Sequence, residues 1–302
     1  MGFFEIVKKP NYDFLRQKNK AFFLSLILVI LGLFAFVMIS FGKANMSVDF
    51  TGGAHIHLRF NKGIYVGELR KVLKDGGMDS FEIQEIKGTK DFFIKTKLEK
   101  EDPNLLSEKI SKILSTQFGT QNFQILGSTT VGPSVGKELK RNAILAVVIA
   151  VVCILIYIAW RFTFVFGVAA TIATFHDALA VLGIFYFLGK EINILLITAL
   201  LTITGYSLTD TVVVFDRIRE NMAKFKSGAD FGEIINRSIN EVLSRTLITS
   251  ITTLLAIAAI LFFGGPVLFD FSLALFLGVI IGTYSSIFVA SPLVYVWRKK
   301  VR

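Results

Sequence analysis

Near the inner end of its fourth apolar stretch the chain reads Gly205-Tyr206-Ser207-Leu208-Thr209-Asp210-Thr211 and runs on through Phe215-Asp216-Arg217 to Asn221. At helical rise, Asp210 sits about a turn and a half inside a membrane span. A charge in hydrocarbon costs on the order of 3 kcal/mol or more, so such a carboxylate faces a bundle interior or a wet cavity, where it moves ions or fixes a partner. Tyr206 and Ser207 share its helix face, which predicts hydrogen bonds from both to the carboxylate or to a water beside it. His176 and Asp177 fall midway through the third stretch. Arg245 opens the fifth, where Thr246, Thr249, Ser250 and Thr253 continue on an i, i+3, i+4, i+7 stripe that predicts one polar side. Asp210, Arg245, Asp177 and His176 have the chemistry of an ion relay, with Tyr206, Ser207 and Thr249 in support. Span hydroxyls also bond their own i−4 carbonyls or a neighbouring helix, so the threonine stripe alone is more often packing than pathway.

Other polar residues have plainer readings. Asp216, Arg217 and Arg219 sit at a membrane boundary as topology anchors, Asp270 reaches water near the end of the sixth stretch, and Gly278-x-x-x-Gly282 marks a close helix contact. His55 and His57 lie at strand spacing with no third ligand in view, which reads as a polar strand face rather than a metal site. Cys153, the only cysteine, falls inside the second stretch and offers neither a disulfide framework nor a thiolate site. No catalytic residue, metal or cofactor is expected.

These residues are positioned by a membrane bundle. A mean hydropathy of +0.62, 53% hydrophobic residues and only 19% charged ones belong to a polytopic membrane protein. Six apolar blocks, Ala21 to Ser40, Ala143 to Trp160, Phe162 to Leu188, Ile192 to Phe215, Thr246 to Phe263 and Val267 to Val296, are each about long enough to cross. The first lacks a small-x-small cleavage site and reads as an uncleaved signal anchor. Basic residues gather before the first block (Lys8, Lys9, Arg16, Lys18, Lys20), between the fourth and fifth (Arg217, Arg219, Lys224, Lys226, Arg237, Arg245) and at the C-terminus, which places all three on the cytoplasmic side. The formal charge of +10 is therefore mainly a topology signal, and no nucleic-acid partner is expected. The expected division is a cytoplasmic segment 1–20, a first transmembrane helix 21–40, a periplasmic domain 41–142, five further helices over 143–296 with a cytoplasmic connection at 216–245, and a tail 297–302.

The segment 41–142 alternates strand and helix patterns in the order βαββαβ, a split ferredoxin-like sandwich. The fold class is thus a polytopic α-helical membrane protein, six transmembrane helices plus a small α+β ferredoxin-like periplasmic domain. Asp49-Phe50-Thr51-Gly52-Gly53 joins the first span to this domain, and its paired glycines suit either a hinge or a packed turn.

Ser47-Val48-Asp49-Phe50-Thr51-Gly52-Gly53, Val131-Gly132-Pro133-Ser134-Val135-Gly136 and the block Gly205 to Asn221, in this order and spacing among six spans, resemble the signature blocks of the SecF branch of the SecD/SecF protein-export family. The resemblance implies membership of the resistance-nodulation-division superfamily, in which a proton or sodium gradient drives an outer domain. It implies ion flow past Asp210 and Arg245, and more distantly past His176 and Asp177. It also implies partners: SecD, the SecYEG translocon, the YidC insertase and YajC, and the translocating preprotein, at the bacterial inner membrane. Rival readings are an ion-coupled small-molecule exporter of the same superfamily and a passive scaffold, which would leave the intramembrane carboxylate unexplained. An intramembrane aspartyl protease is disfavoured because its Gly-x-Gly-Asp motif is absent.

Overall fold

The computed structural model describes residues 10–78, 81–86, 89–96, 103–224 and 230–301. Lys8, Lys9, Lys87 and Gly88 of an expected turn, the charged run Lys97 to Asp102, Lys226 and Arg302 lie outside the described residues. In chain order the elements are a 3-10 turn Leu15–Gln17, α1 Lys18–Ser40, α2 Val48–Thr51, β1 Gly53–Phe60, α3 Val66–Asp75, β2 Phe81–Glu85, β3 Asp91–Thr96, α4 Pro103–Phe118, β4 Phe123–Val131, α5 Pro133–Arg161, α6 Phe164–Phe187, α7 Ile194–Lys224, α8 Phe231–Phe263, α9 Gly265–Ser285, a π-helical segment Ser286–Ala290 and α10 Ser291–Val301. The chain divides into two compact units, one of Met46–Ala146 with Ile192–Ile194 and one of the remainder.

Among the described residues of both units, six helices are long and apolar enough to cross a membrane, the sixth assembled from α9, the π segment and α10. The helices outrun the apolar blocks. α5 begins at Pro133 rather than near Ala143, because proline at the first helical position lacks only an amide that would have no partner there. α7 and α8 likewise extend over most of the polar connection at 216–245, where the pairs Arg217 with Glu220 and Lys224 with Glu220 lie one turn apart on α7. Inside the bundle α1 crosses α6 at paired glycines. A Cβ on Gly183 would stand 2.8 Å from the Gly32 amide nitrogen, and one on Gly32 would stand 2.3 Å from the Leu179 carbonyl oxygen. Gly278 and Gly282 seat α9 on α7 in the same way, against Ile203 and Ser207.

The other unit is the expected sandwich. Its antiparallel sheet runs in the order β2-β3-β1-β4 with α3 and α4 on one face. β1 alternates as an antiparallel strand should: Ala54, Ile56, Leu58 and Phe60 face the helices, where Leu69, Leu73, Ile110 and Leu114 close the core. The opposite face carries the histidines. His55 and His57 pack on the Phe93 ring, with centroids 4.8 and 4.5 Å away. His57 Nε2 lies 3.2 Å from Asp91, and Arg59 clamps the same carboxylate through two bonds of 2.7 and 2.8 Å. The register that pairs Arg59 with Asp91 makes this possible. The Arg59 guanidinium holds the Asp91 carboxyl below its ordinary range. Burial, with Lys95 second, lowers His55 to about 4.

A candidate ion-relay site in the membrane bundle

Asp177 is a fully buried acid of the bundle, with no exposed surface. α6 brings it to the centre among small neighbours, Ala173 and Ala180, which let α7 and α9 approach closely. Three side chains converge on it. His176 Nδ1 lies 2.8 Å from Oδ1, Ser285 donates to Oδ2 at 2.7 Å, and Ser207 donates to Oδ2 in a short bond. A buried carboxyl group is costly to leave unsatisfied, by about 1–3 kcal/mol for each missing partner. Thr211 and Ser286 meet one turn further along, their hydroxyls 3.0 Å apart. Ser285 and Ser286 stand where the sixth span changes to π-helical winding, and Ser291 bonds the Ser286 carbonyl oxygen five residues back at 2.9 Å. One-turn π segments of this kind recur at functional sites, since they re-aim consecutive side chains.

Asp210 is the second carboxylate of the bundle, 6% exposed, and its Oδ2 has no hydrogen-bond partner among the described residues. Neither expected donor serves it. Ser207 carries a single proton and gives it to Asp177, while the Tyr206 hydroxyl reaches Thr253 of α8 at 3.5 Å. One hydroxyl cannot supply two carboxylates, and the buried one with the fixed geometry takes it. Arg245 on α8 acts on Asp210 through space, yet no ion pair joins the two among the described residues and Arg245 is exposed. His176 Nε2 and Thr246 Oγ1 are the other buried side-chain atoms without a partner among the described residues.

The expected polar stripe of α8 divides. Thr246 and Ser250 are buried, Ser250 bonding Thr283 of α9 at 2.7 Å, whereas Arg245 and Thr249 lie on the exposed side and Thr253 is half-buried. Positions 245 and 246 are separated by about 100° of helix, which is enough to put one inside and one outside. Thr249 bonds the Arg245 carbonyl oxygen at 3.0 Å, the use that packing makes of a span hydroxyl. Reasoning from sequence missed Ser285, Ser286 and Thr211. The run Thr283-Tyr284-Ser285-Ser286 within an apolar block was the signal for the first two.

The segment Asp49 to Gly53 makes close contacts within the unit that holds the sandwich. Asp49 sits in α2, where its Oδ2 accepts from the Ile194 amide, the first residue of α7, at 3.3 Å. Gly52 and Gly53 have φ of +74° and +146°, which side chains avoid. A Cβ on Gly53 would lie 2.3 Å from the Thr96 carbonyl oxygen, and one on Gly136 would lie 2.9 Å from the Gly52 amide nitrogen.

A multi-pass bundle with a buried, hydroxyl-bridged carboxyl group, a second buried carboxyl with one oxygen lacking a partner among the described residues, and a ferredoxin-like domain together define a class of polytopic membrane proteins. The family described as protein export membrane protein SecD/SecF, C-terminal, matches residues 110–300. Protein translocase subunit SecF of Thermodesulfovibrio yellowstonii is 51% identical over 98% of this chain and 97% of its own length, and that of Desulfurispirillum indicum is 42% identical over 95% and 92%. The crystal structure of SecDF, a translocon-associated membrane protein, from Thermus thermophilus superposes with a TM-score of 0.83 at 39% identity, covering 96% of this chain and 39% of that one. SecDF in a super-membrane-facing form superposes with a TM-score of 0.69. The chain belongs to the SecD/SecF family of protein-export membrane proteins.

Proposed function

We propose that this chain works as the SecF subunit of a protein translocase, coupling an ion gradient to preprotein export. The observation that carries the assignment is 51% identity to a SecF subunit over nearly the whole of both chains. SecD is the partner this reading requires, and SecDF proteins, of which this chain matches one part, support it. SecYEG, YidC and YajC are further partners, and the site of action is the bacterial inner membrane with both termini in the cytoplasm, in keeping with the lysines and arginines that flank the spans.

In the proposed mechanism, Asp177 holds α6, α7 and α9 together through Ser207 and Ser285, while Asp210 is the group that changes partner. Its unpartnered oxygen supports this role, because a buried acceptor without a donor is stabilised by taking up a proton or cation, or by pairing with Arg245. Each event changes the charge between α7 and α8 and so favours one of two bundle arrangements. Asp49, bonded to the start of the helix that carries Asp210, offers a route from that change to the sandwich. His176 lends its ring to Asp177, and Tyr206 and Thr249 line the approach.

The test is export of a preprotein into inverted vesicles that contain this chain with its cognate SecD. An imposed gradient stimulates translocation in vesicles holding the native chain and fails to do so with Asp210→Asn. Stimulation unaffected by the loss of the chain itself would overturn the assignment.

A further inference from the structure

At the end of the bundle formed by the start of α6, the C-terminal part of α7 and α10, a groove of about 630 Å³ has Val165, Phe166 and Val294 in its apolar lining and Arg219 and Arg298 in its polar lining. Trp297 also lines it and packs edge to face on Phe164, a residue 75% exposed, with centroids 6.0 Å apart. Exposed aromatic pairs of this kind mark the level where headgroups meet acyl chains.

The charges in the groove are underused. Arg298 lies over the Phe231 ring at 4.7 Å and against the Met222 sulfur at 3.1 Å, with no carboxylate in ion-pair range among the described residues. Among the described residues Arg219 has only a long contact, 3.7 Å, to Asp216, whose other oxygen is taken by Arg161 in a short bond. Glu220, its neighbour in sequence, is engaged by Arg217 and Lys224. α6 starts beside the groove at Thr163, which makes no side-chain cap, so the positive end of a 24-residue helix adds to the field.

Two guanidiniums above an apolar floor at membrane-interface depth fit an amphiphile with an anionic head. A soluble phosphate would leave the floor unused, and a zwitterionic lipid would bring its own cation against the arginines. We propose that this groove binds one anionic glycerophospholipid, its phosphate held by Arg219 and Arg298 and the start of an acyl chain laid against Val165, Phe166 and Val294.

The chain's second tryptophan, Trp160, is 84% exposed, so Trp160→Phe leaves Trp297 as the sole indole reporter. The full chain in detergent is titrated with dioctanoyl phosphatidylglycerol, dioctanoyl phosphatidylcholine and glycerol 3-phosphate while Trp297 emission is followed. Phosphatidylglycerol should give a saturable change, with apparent Kd at least tenfold tighter than phosphatidylcholine, and glycerol 3-phosphate should give none over the same range. The pair Arg219→Gln with Arg298→Gln should weaken phosphatidylglycerol at least tenfold, and the corresponding lysine pair, which keeps the charge, should fall between. Equal responses to the two lipids, or an undiminished response in the glutamine pair, would overturn the proposal. So would a response to glycerol 3-phosphate as strong as that to the lipid, which would define a soluble-phosphate site. Unchanged elution and helical circular dichroism establish that each variant is folded.

Discussion

The Ser285 hydroxyl donates to Asp177 at 2.7 Å, joining the sixth span to the centre of the third through a carboxylate that has no exposed surface. Ser207 approaches the same oxygen from α7, so three helices share one carboxyl group. Asp210, one helical turn beyond Ser207, has no such support. One carboxyl group is therefore held by three side chains while an oxygen of the other has no partner among the described residues, the asymmetry that the proposed relay uses.

Asp210→Asn keeps the size and polarity of the side chain and removes its ionisation. Gradient-stimulated export should fall to the unstimulated level while the amount of membrane-inserted protein stays as in the native chain. Inverted vesicles assayed for a protease-protected preprotein give the reading, and full stimulation would remove Asp210 from the mechanism.

Arg245 separates two roles by its shape. Lysine keeps the charge without the planar fork and should retain part of the stimulation, while alanine should lose nearly all of it. Equal activity in the three forms would leave Arg245 a topology anchor, as its exposed position would then suffice to explain.

Ser285→Ala removes one donor from a buried carboxylate, a loss of about 1.5–3 kcal/mol. The variant should unfold at a lower temperature in detergent, and Ser285→Thr, which restores a hydroxyl, should recover part of the loss. A Tm unchanged by Ser285→Ala would show that the contact adds nothing to the bundle.

In the sandwich, His55 takes up a proton only near pH 4 when folded and near 6.5 when unfolded. Between these values the unfolded chain binds more protons, so the His55 contribution is complete above pH 6.5 and is lost as pH falls toward 4. For a partly exposed ring this amounts to roughly 2 kcal/mol. Hydrogen exchange of β1 and β3 in the full chain at pH 7 and pH 4.5 should show the drop, and His55→Gln should flatten it.

The joint at Gly52 and Gly53 gives a test of coupling. Gly53→Ala places a methyl against the Thr96 carbonyl oxygen in a backbone conformation that alanine avoids, and it should loosen the sandwich and reduce export without changing insertion. Replacing both glycines by proline should suppress movement of a spectroscopic label in the sandwich while ion-dependent changes at Asp210 persist. Undiminished movement and export in the double variant would exclude this segment as the moving joint.

Much was legible in the chain itself. Six apolar blocks imply six spans because hydrocarbon tolerates only continuous hydrogen-bonded backbone, and the alternation of Ala54, Ile56, Leu58 and Phe60 against His55, His57 and Arg59 sorts β1 into two faces by a period of two. Asp210 and Asp177 stand out because an acid deep in an apolar run is costly unless it is satisfied or used. What the helical period cannot decide is which neighbour a side chain meets. Tyr206 and Ser207 share a face with Asp210, yet they serve Thr253 and Asp177, since a hydroxyl's one proton goes where the packed helices place an acceptor. Arg245 and Thr246 are adjacent in sequence and lie on opposite sides of the packing surface. Ser285 reaches Asp177 at the point where the sixth span winds into a π turn, a feature without a distinct residue pattern. Local pattern determined the elements and their charged exceptions; the close approach of α6, α7 and α9 decided which of those exceptions touch.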